Sequence, residues 1–234
     1  MSIVSPVVSR TDQGFVATLM MERPQARNAL SMELITALIA AFEDLAQDPS
    51  IKCVILRGAG PAFCAGHDLK EMRANPNRAF MQHTFETCTK LMLAITNLRQ
   101  PVIAQVHGIA TAAGCQLVAT CDLAVCADDA RFATPGVNIG LFCSTPMVAL
   151  TRAVGRKAAM HMLLTGEMID AAQAVRIGLV NTAVPSPKLH ETVEALAGGI
   201  AAKSGRVLAI GKEAFSRQTD LSLEDAYTYA GSVM

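Results

Sequence analysis

The 234-residue chain predicts an α/β fold: a largely parallel sheet flanked by helices, with a helical C-terminal region. Three observations carry this. Short apolar, β-branched runs alternate with segments of 3.6-residue periodicity through the first half. Glycine-rich loops join strands to helices, an order that implies right-handed crossovers between parallel strands. From about Ser144 the signals turn mainly helical.

In order, "PVVSR" and "FVATLMM" flank the turn signal "TDQG" and predict a hairpin. Ser31 is placed to N-cap a helix running to about Gln47, with Leu34, Leu38, Phe42 and Leu45 on one face; Asp48-Pro49 ends it. Lys52–Arg57, "KCVILR", reads as a strand. A glycine-rich loop follows, then a helix over about Arg78–Leu98. "PVIAQV" is the next strand, followed by a helix at about Ala112–Ala119 and the strand Leu123–Ala127. Thr145-Pro146 starts a helix, Asp170 caps another that ends at Gly178, and "LVNTAV" is a short strand before further helices. No repeat or polar linker interrupts the chain. It reads as a single domain over 1–234, with a core over about 1–185 and C-terminal helices over about 186–234. The last helix signal stops with the chain, and further C-terminal helices are expected to be missing.

Composition narrows the function. Lys+Arg and Asp+Glu both number 20, so the basic excess of a nucleic-acid surface is absent. No apolar run approaches the ~20 residues of a membrane span, and the first fourteen residues lack the pattern of a secretory leader. The seven scattered cysteines fit free thiols in a reducing compartment, read here as the cytoplasm.

Two loops share a plan: Gly58 to Met72, "GAGPAFCAGHDLKEM", and His107 to Leu117, "HGIATAAGCQL". Each follows an apolar strand, is rich in Gly and Ala, and opens a helix. The first turn of a helix carries free N–H groups at the positive end of its dipole. Side by side, two such loops aim two backbone donors at one carbonyl oxygen, an oxyanion hole suited to a thioester becoming an enolate. Spacing alone equally fits two closely packed strand-to-helix turns.

"PAFCAGHDLKEM" and "GIATAAGCQLVATCDLAVCADDARFATPGVNIGL", with "RPQARNALS" and "LTGEMIDAAQAVRIGLVNTAVP", resemble the signatures of the enoyl-CoA hydratase/isomerase family, the crotonase superfamily. The wording is closest to the group called enoyl-CoA hydratase domain-containing proteins. The resemblance spans nearly the whole chain. It implies a crotonase-type ββα spiral, an acyl-CoA substrate with coenzyme A as its only cofactor-like part, no metal, and a homotrimer or a hexamer built as a dimer of trimers. It implies oxyanion-hole N–H groups at His67 and Ala113. It also implies substrate contacts along Ala26, Arg27 and Ala29, along Ala65, Gly66, Asp68, Leu69 and Lys70, and at Gly108, Pro135 and Leu141. Arg23, Arg27, Lys70 and Arg73 are the basic groups available to coenzyme A phosphates.

Family hydratases hold a water between two glutamates. Their positions here are Gln116 and Gly136, and a later carboxylate position of family isomerases is Ser144. An amide and a glycine cannot exchange protons near neutral pH, so hydration is expected to be weak. His67 is the first replacement to consider, since histidine titrates near neutrality; its ring can equally point away while only its N–H is used. Asp68 reads as a helix cap or loop organiser. Cys64, Cys115 and Cys143 read as buried thiols rather than nucleophiles. His83, His107, His161 and His190 read as structural or surface residues, and Met160 and Met162 as core. Three classes stay open: a weak or non-standard hydratase/isomerase, a thioester hydrolase or isomerase using His67, and a non-catalytic acyl-CoA-binding protein.

Overall fold

The computed structural model describes residues 6–234. The N-terminal leader reading falls partly on residues 1–5, outside the described residues. The hairpin forms as expected: β1 (Val8–Gln13) and β2 (Val16–Met21) pair antiparallel across Gly14. β3 (Cys53–Gly58), β4 (Val102–Val106), β6 (Leu123–Ala127) and β9 (Thr182–Val184) then add in parallel, in the spatial order β1-β2-β3-β4-β6-β9. A second, three-stranded sheet runs β5 (Ile109–Thr111), β7 (Arg131–Ala133), β8 (Ile169–Asp170). Its strands have three, three and two residues, too short to show a period in the sequence.

The period of two along each long strand divides the core. Val54, Leu56, Val102, Ala104 and Cys126 face a large cluster with α1 (Met32–Gln47), α3 (Arg78–Asn97) and α4 (Ala113–Thr120). Cys53, Ile55, Ile103, Val125 and Ala127 face α8 (Leu189–Ala201) through Leu189, Val193 and Ala197. Both faces of the central strands are thus covered, which is why they read as continuous apolar runs.

Helix boundaries follow local caps. The Ser31 hydroxyl accepts the Leu34 N–H (3.2 Å) and starts α1. Asn77 caps α3 by accepting the Phe80 N–H (2.9 Å). The Asp170 side chain caps α7 (Ala171–Ile177), which ends on left-handed Gly178 (φ +84). Between them lie α5 (Ser144–Ala153) and α6 (Arg156–Thr165). The last two helices, α9 (Gly205–Gln218) and α10 (Leu223–Val233), sit farther out. α9 is fastened by Lys212, whose ammonium donates to the Ile95 carbonyl (3.0 Å), the Gln100 carbonyl (3.1 Å) and the Asp122 carboxylate (2.6 Å). Val207, Phe215, Leu223 and Tyr227 on these helices remain exposed. Among the described residues, no helix is long and apolar enough to cross a membrane.

Candidate active site

The two glycine-rich loops lie against each other at the C-terminal ends of β3 and β4. Backbone bonds stitch them: Phe63 N–H to His107 O (3.0 Å), Cys64 N–H to Ile109 O (3.1 Å), and Thr111 N–H to Cys64 O (3.0 Å). The Thr111 hydroxyl adds a bond to Ala65 O (3.0 Å). Contact is so close that small residues are a steric requirement. A Cβ on Gly114 would lie 2.1 Å from the Cys64 carbonyl oxygen. Gly66 has φ +95, and a Cβ there would lie 2.9 Å from the Ala112 Cβ and 3.5 Å from the Ala113 nitrogen.

That contact brings the two expected donors onto touching segments. In the first loop the Ala65 N–H donates to Arg27 O (3.0 Å) and the Asp68 N–H to Leu30 O (3.1 Å). The His67 N–H between them has no acceptor among the described residues. In the second loop the Ala112 N–H donates to Ala133 O (2.9 Å). Ala113 is the first residue of α4, so its N–H has no partner inside the helix. Ala112 itself adopts φ 50, ψ −116, a conformation that glycine accepts and alanine resists. Strain is therefore stored one residue before the second donor.

Asp68 takes the capping role. Its carboxylate accepts the Lys70 (3.1 Å) and Glu71 (3.2 Å) N–H groups at the start of α2 (Leu69–Ala74) and pairs with Arg23 at 2.9 Å. Burial opposes its ionisation, but Arg23 and the two N–H groups outweigh burial and hold it below the usual carboxylate range. Arg23 also donates to the Ala29 carbonyl. Its guanidinium is thus already engaged by the protein, with part of its surface left open. Arg27, Lys70 and Arg73 are exposed and uncommitted on that side; Ala26 and Ala29 flank Arg27, and Leu69 is exposed.

Gln116 is buried on the first turns of α4, and its side-chain oxygen has no partner. Gly136 lies in a short 3-10 turn, Pro135–Ile139, with Cys143 Sγ accepting its N–H (3.3 Å). Gly136 has no positive φ; what excludes a side chain is space, since a Cβ would meet Leu141 O and Cys143 Sγ at 2.8 Å. Leu141 itself is exposed, and Gly108 turns the second loop at φ +59. Burial pushes the Cys64 and Cys115 thiols up to about 12, so both are protonated and inert at neutral pH. Cys143 is raised by burial too. His107 Nε2 sits 2.8 Å from Gly60 O, while His83, His161 and His190 are exposed.

Two residues escaped the sequence reading. Asn28 is fully buried at φ 52; its amide donates to Ala59 O (2.9 Å) and Ala62 O (2.8 Å), and its oxygen accepts the Arg23 N–H (3.0 Å), pinning the first loop. Asn tolerates the left-handed region, the one signal that marks it. Thr134, next to Ala133 and hence beside Ala112, buries a hydroxyl with no partner.

The enoyl-CoA hydratase/isomerase profile matches residues 11–233. The chain belongs to the enoyl-CoA hydratase/isomerase family. Rat mitochondrial enoyl-CoA hydratase domain-containing protein 3 is 44% identical over 228 residues, covering 97% of this chain and 76% of the rat protein. The crystal structure of human enoyl-CoA hydratase domain-containing protein 3 superposes with a TM-score of 0.94 at 43% identity, covering 97% and 90% of the two chains. That of an enoyl-CoA hydratase from Mycobacterium smegmatis superposes at 0.96 with 54% identity, covering 98% and 90%. Fold and family resemblance therefore stand. The cytoplasmic expectation does not, because the rat, frog, mouse and human relatives are all named mitochondrial. Unpaired buried cysteines mark a reducing compartment and do not choose between two of them.

Proposed function

We propose that this family member binds an acyl-CoA and polarises its thioester carbonyl between the His67 and Ala113 N–H groups. The single observation carrying this is that both amides lack an acceptor while their segments touch. Donors fixed before the reaction stabilise the developing enolate oxygen without reorganising. The exposed Arg27, Lys70 and Arg73 supply positive charge for the coenzyme A phosphates. With Gln116 and Gly136 at the two glutamate positions, no carboxylate pair holds a water, so hydration of an enoyl-CoA is weak. The exposed apolar residues of α9 and α10 support assembly through these helices as a trimer or hexamer; a stable monomer in light scattering at micromolar concentration would contradict that.

The test is Ala113→Pro. Proline is accepted at the first position of a helix and removes the N–H, while its ring also restricts Ala112 before it, so folding is checked first by thermal unfolding. Butyryl-CoA affinity measured by calorimetry should fall at least tenfold in this variant, while His67→Ala, which keeps its N–H, stays near wild type. Normal binding by a folded Ala113→Pro protein refutes the assignment.

A further inference from the structure

We propose that the His67 imidazole moves the proton at the carbon next to the thioester carbonyl. The inference rests on the acyl-CoA reading above and adds a catalytic group to it. Both ring nitrogens of His67 are buried and without a hydrogen-bond partner. The ring is held edge-on to Phe85 of α3, 5.4 Å between centroids at 85°. A buried polar atom left unpaired costs about 1–3 kcal/mol, and two on one ring mark a side chain whose partner is a ligand. Covalent geometry keeps that ring within about 5 Å of its own N–H, the same range in which the α-carbon of a thioester held by that amide must lie.

Elimination supports the same residue. Asp68 spends its carboxylate on Arg23 and the α2 cap. Cys64 and Cys115 stay protonated, pushed up to about 12 by burial. His107 is occupied by Gly60 O. Gln116 and Thr134 also present unpartnered oxygens, but neither titrates. Burial lowers the His67 ring from the usual histidine value, and the nearby Leu30 carbonyl, outside hydrogen-bond geometry, acts weakly the other way, so the uncharged ring with a free lone pair is favoured.

The step balances without a co-reactant. A ring nitrogen takes the α-proton as the Cα–H bond breaks. That electron pair forms the Cα–C1 double bond, and the carbonyl pair moves onto the oxygen held by the two N–H groups. Return of a proton from the imidazolium restores the thioester. In D₂O the ring exchanges with solvent, and the returning deuteron labels the α-carbon.

The experiment follows deuterium incorporation at C2 of butyryl-CoA in D₂O by NMR, beside butyryl-CoA affinity by calorimetry. Wild type should bind and exchange. His67→Gln, which keeps the amide donor and a polar side chain, should lose about 10²–10⁴-fold in exchange with affinity within about threefold. His67→Phe, which fills the ring's space, should behave likewise. Exchange at the wild-type rate in either folded variant overturns the proposal. So does a wild type that binds but does not exchange, which leaves the acyl-CoA reading intact. A wild type that does not bind overturns both.

Discussion

Gly114→Ala measures how tightly the two loops are joined. The glycine sits in α4 without a positive φ, so alanine suits its backbone and gains about 1 kcal/mol of helix propensity. Against that, the new Cβ would stand 2.1 Å from the Cys64 carbonyl oxygen and 2.8 Å from its carbon. Reaching even a 3.0 Å approach requires the loops to part by roughly 0.9 Å, the difference between 3.0 and 2.1. The Thr111 N–H to Cys64 O bond, now 3.0 Å, would open by a similar amount and break. Overpacking of about 1–3 kcal/mol and a buried N–H left unpaired at about 1–3 kcal/mol exceed the helix gain by roughly 3 kcal/mol. At about 2–4 °C per kcal/mol for a chain of this size, Tm should fall by roughly 6–12 °C. Gly198→Ala in α8, where no atom lies within 4 Å, is the control and should raise Tm slightly. Both are measured by calorimetric unfolding at one protein concentration, since assembly shifts Tm. A Gly114→Ala protein melting within about 1 °C of wild type would show that the loops are not in this contact.

Hydration of crotonyl-CoA, followed by loss of the enoyl-thioester absorbance, should be slow in wild type; a kcat/KM of about 10⁶ M⁻¹s⁻¹ or above would refute the claim that the site lacks its acid–base pair. Gln116→Glu with Gly136→Glu should exceed either single change, because the two act on one water, with Gly136→Glu the costlier to fold for want of space beside Cys143 and Leu141. Ala112→Gly relieves about 1–3 kcal/mol of strain against about 0.4–1 kcal/mol of added chain entropy; Tm should rise a few degrees, and a fall would contradict the strained geometry. Asp68→Ala should cost about 1–2 kcal/mol of stability through the lost cap. The Asp68 folded-state pKa is depressed, so its contribution is present above 3.8 and lost as pH falls below that value. The Tm deficit of Asp68→Ala should therefore shrink in acid, and a deficit constant down to pH 2 would exclude the ionised cap.

Features set by neighbours in sequence were legible. The Ser31 and Asp170 caps, the hairpin and the apolar runs of β3 and β4 need only a few adjacent residues to declare themselves, although the turn falls at Gly14–Phe15 and Thr11–Gln13 of "TDQG" continue β1. Features set by distant partners were not. Arg23 reads as a free cation until Asp68, 45 positions away, is found beside it. Ala112 hides its left-handed conformation because alanine rarely signals one. The β5-β7-β8 sheet is too short to carry a period, and the role of α8 as cover for the second sheet face depends on where strands far upstream place their side chains. For the site, the two loops could be read from residue identity, whereas Gln116 and Gly136 stand as the proposed glutamate positions only through the family resemblance. The unpartnered His67 nitrogens could not, since a missing hydrogen bond is a property of the packed structure.

The most direct test of the central claim is a crystal structure of the protein with butyryl-CoA bound. The account predicts the thioester oxygen about 2.7–3.1 Å from both the His67 and the Ala113 nitrogen, with no carboxylate reaching the acyl α- or β-carbon. A thioester oxygen bound to any other group, or a carboxylate within hydrogen-bond reach of those carbons, would contradict it.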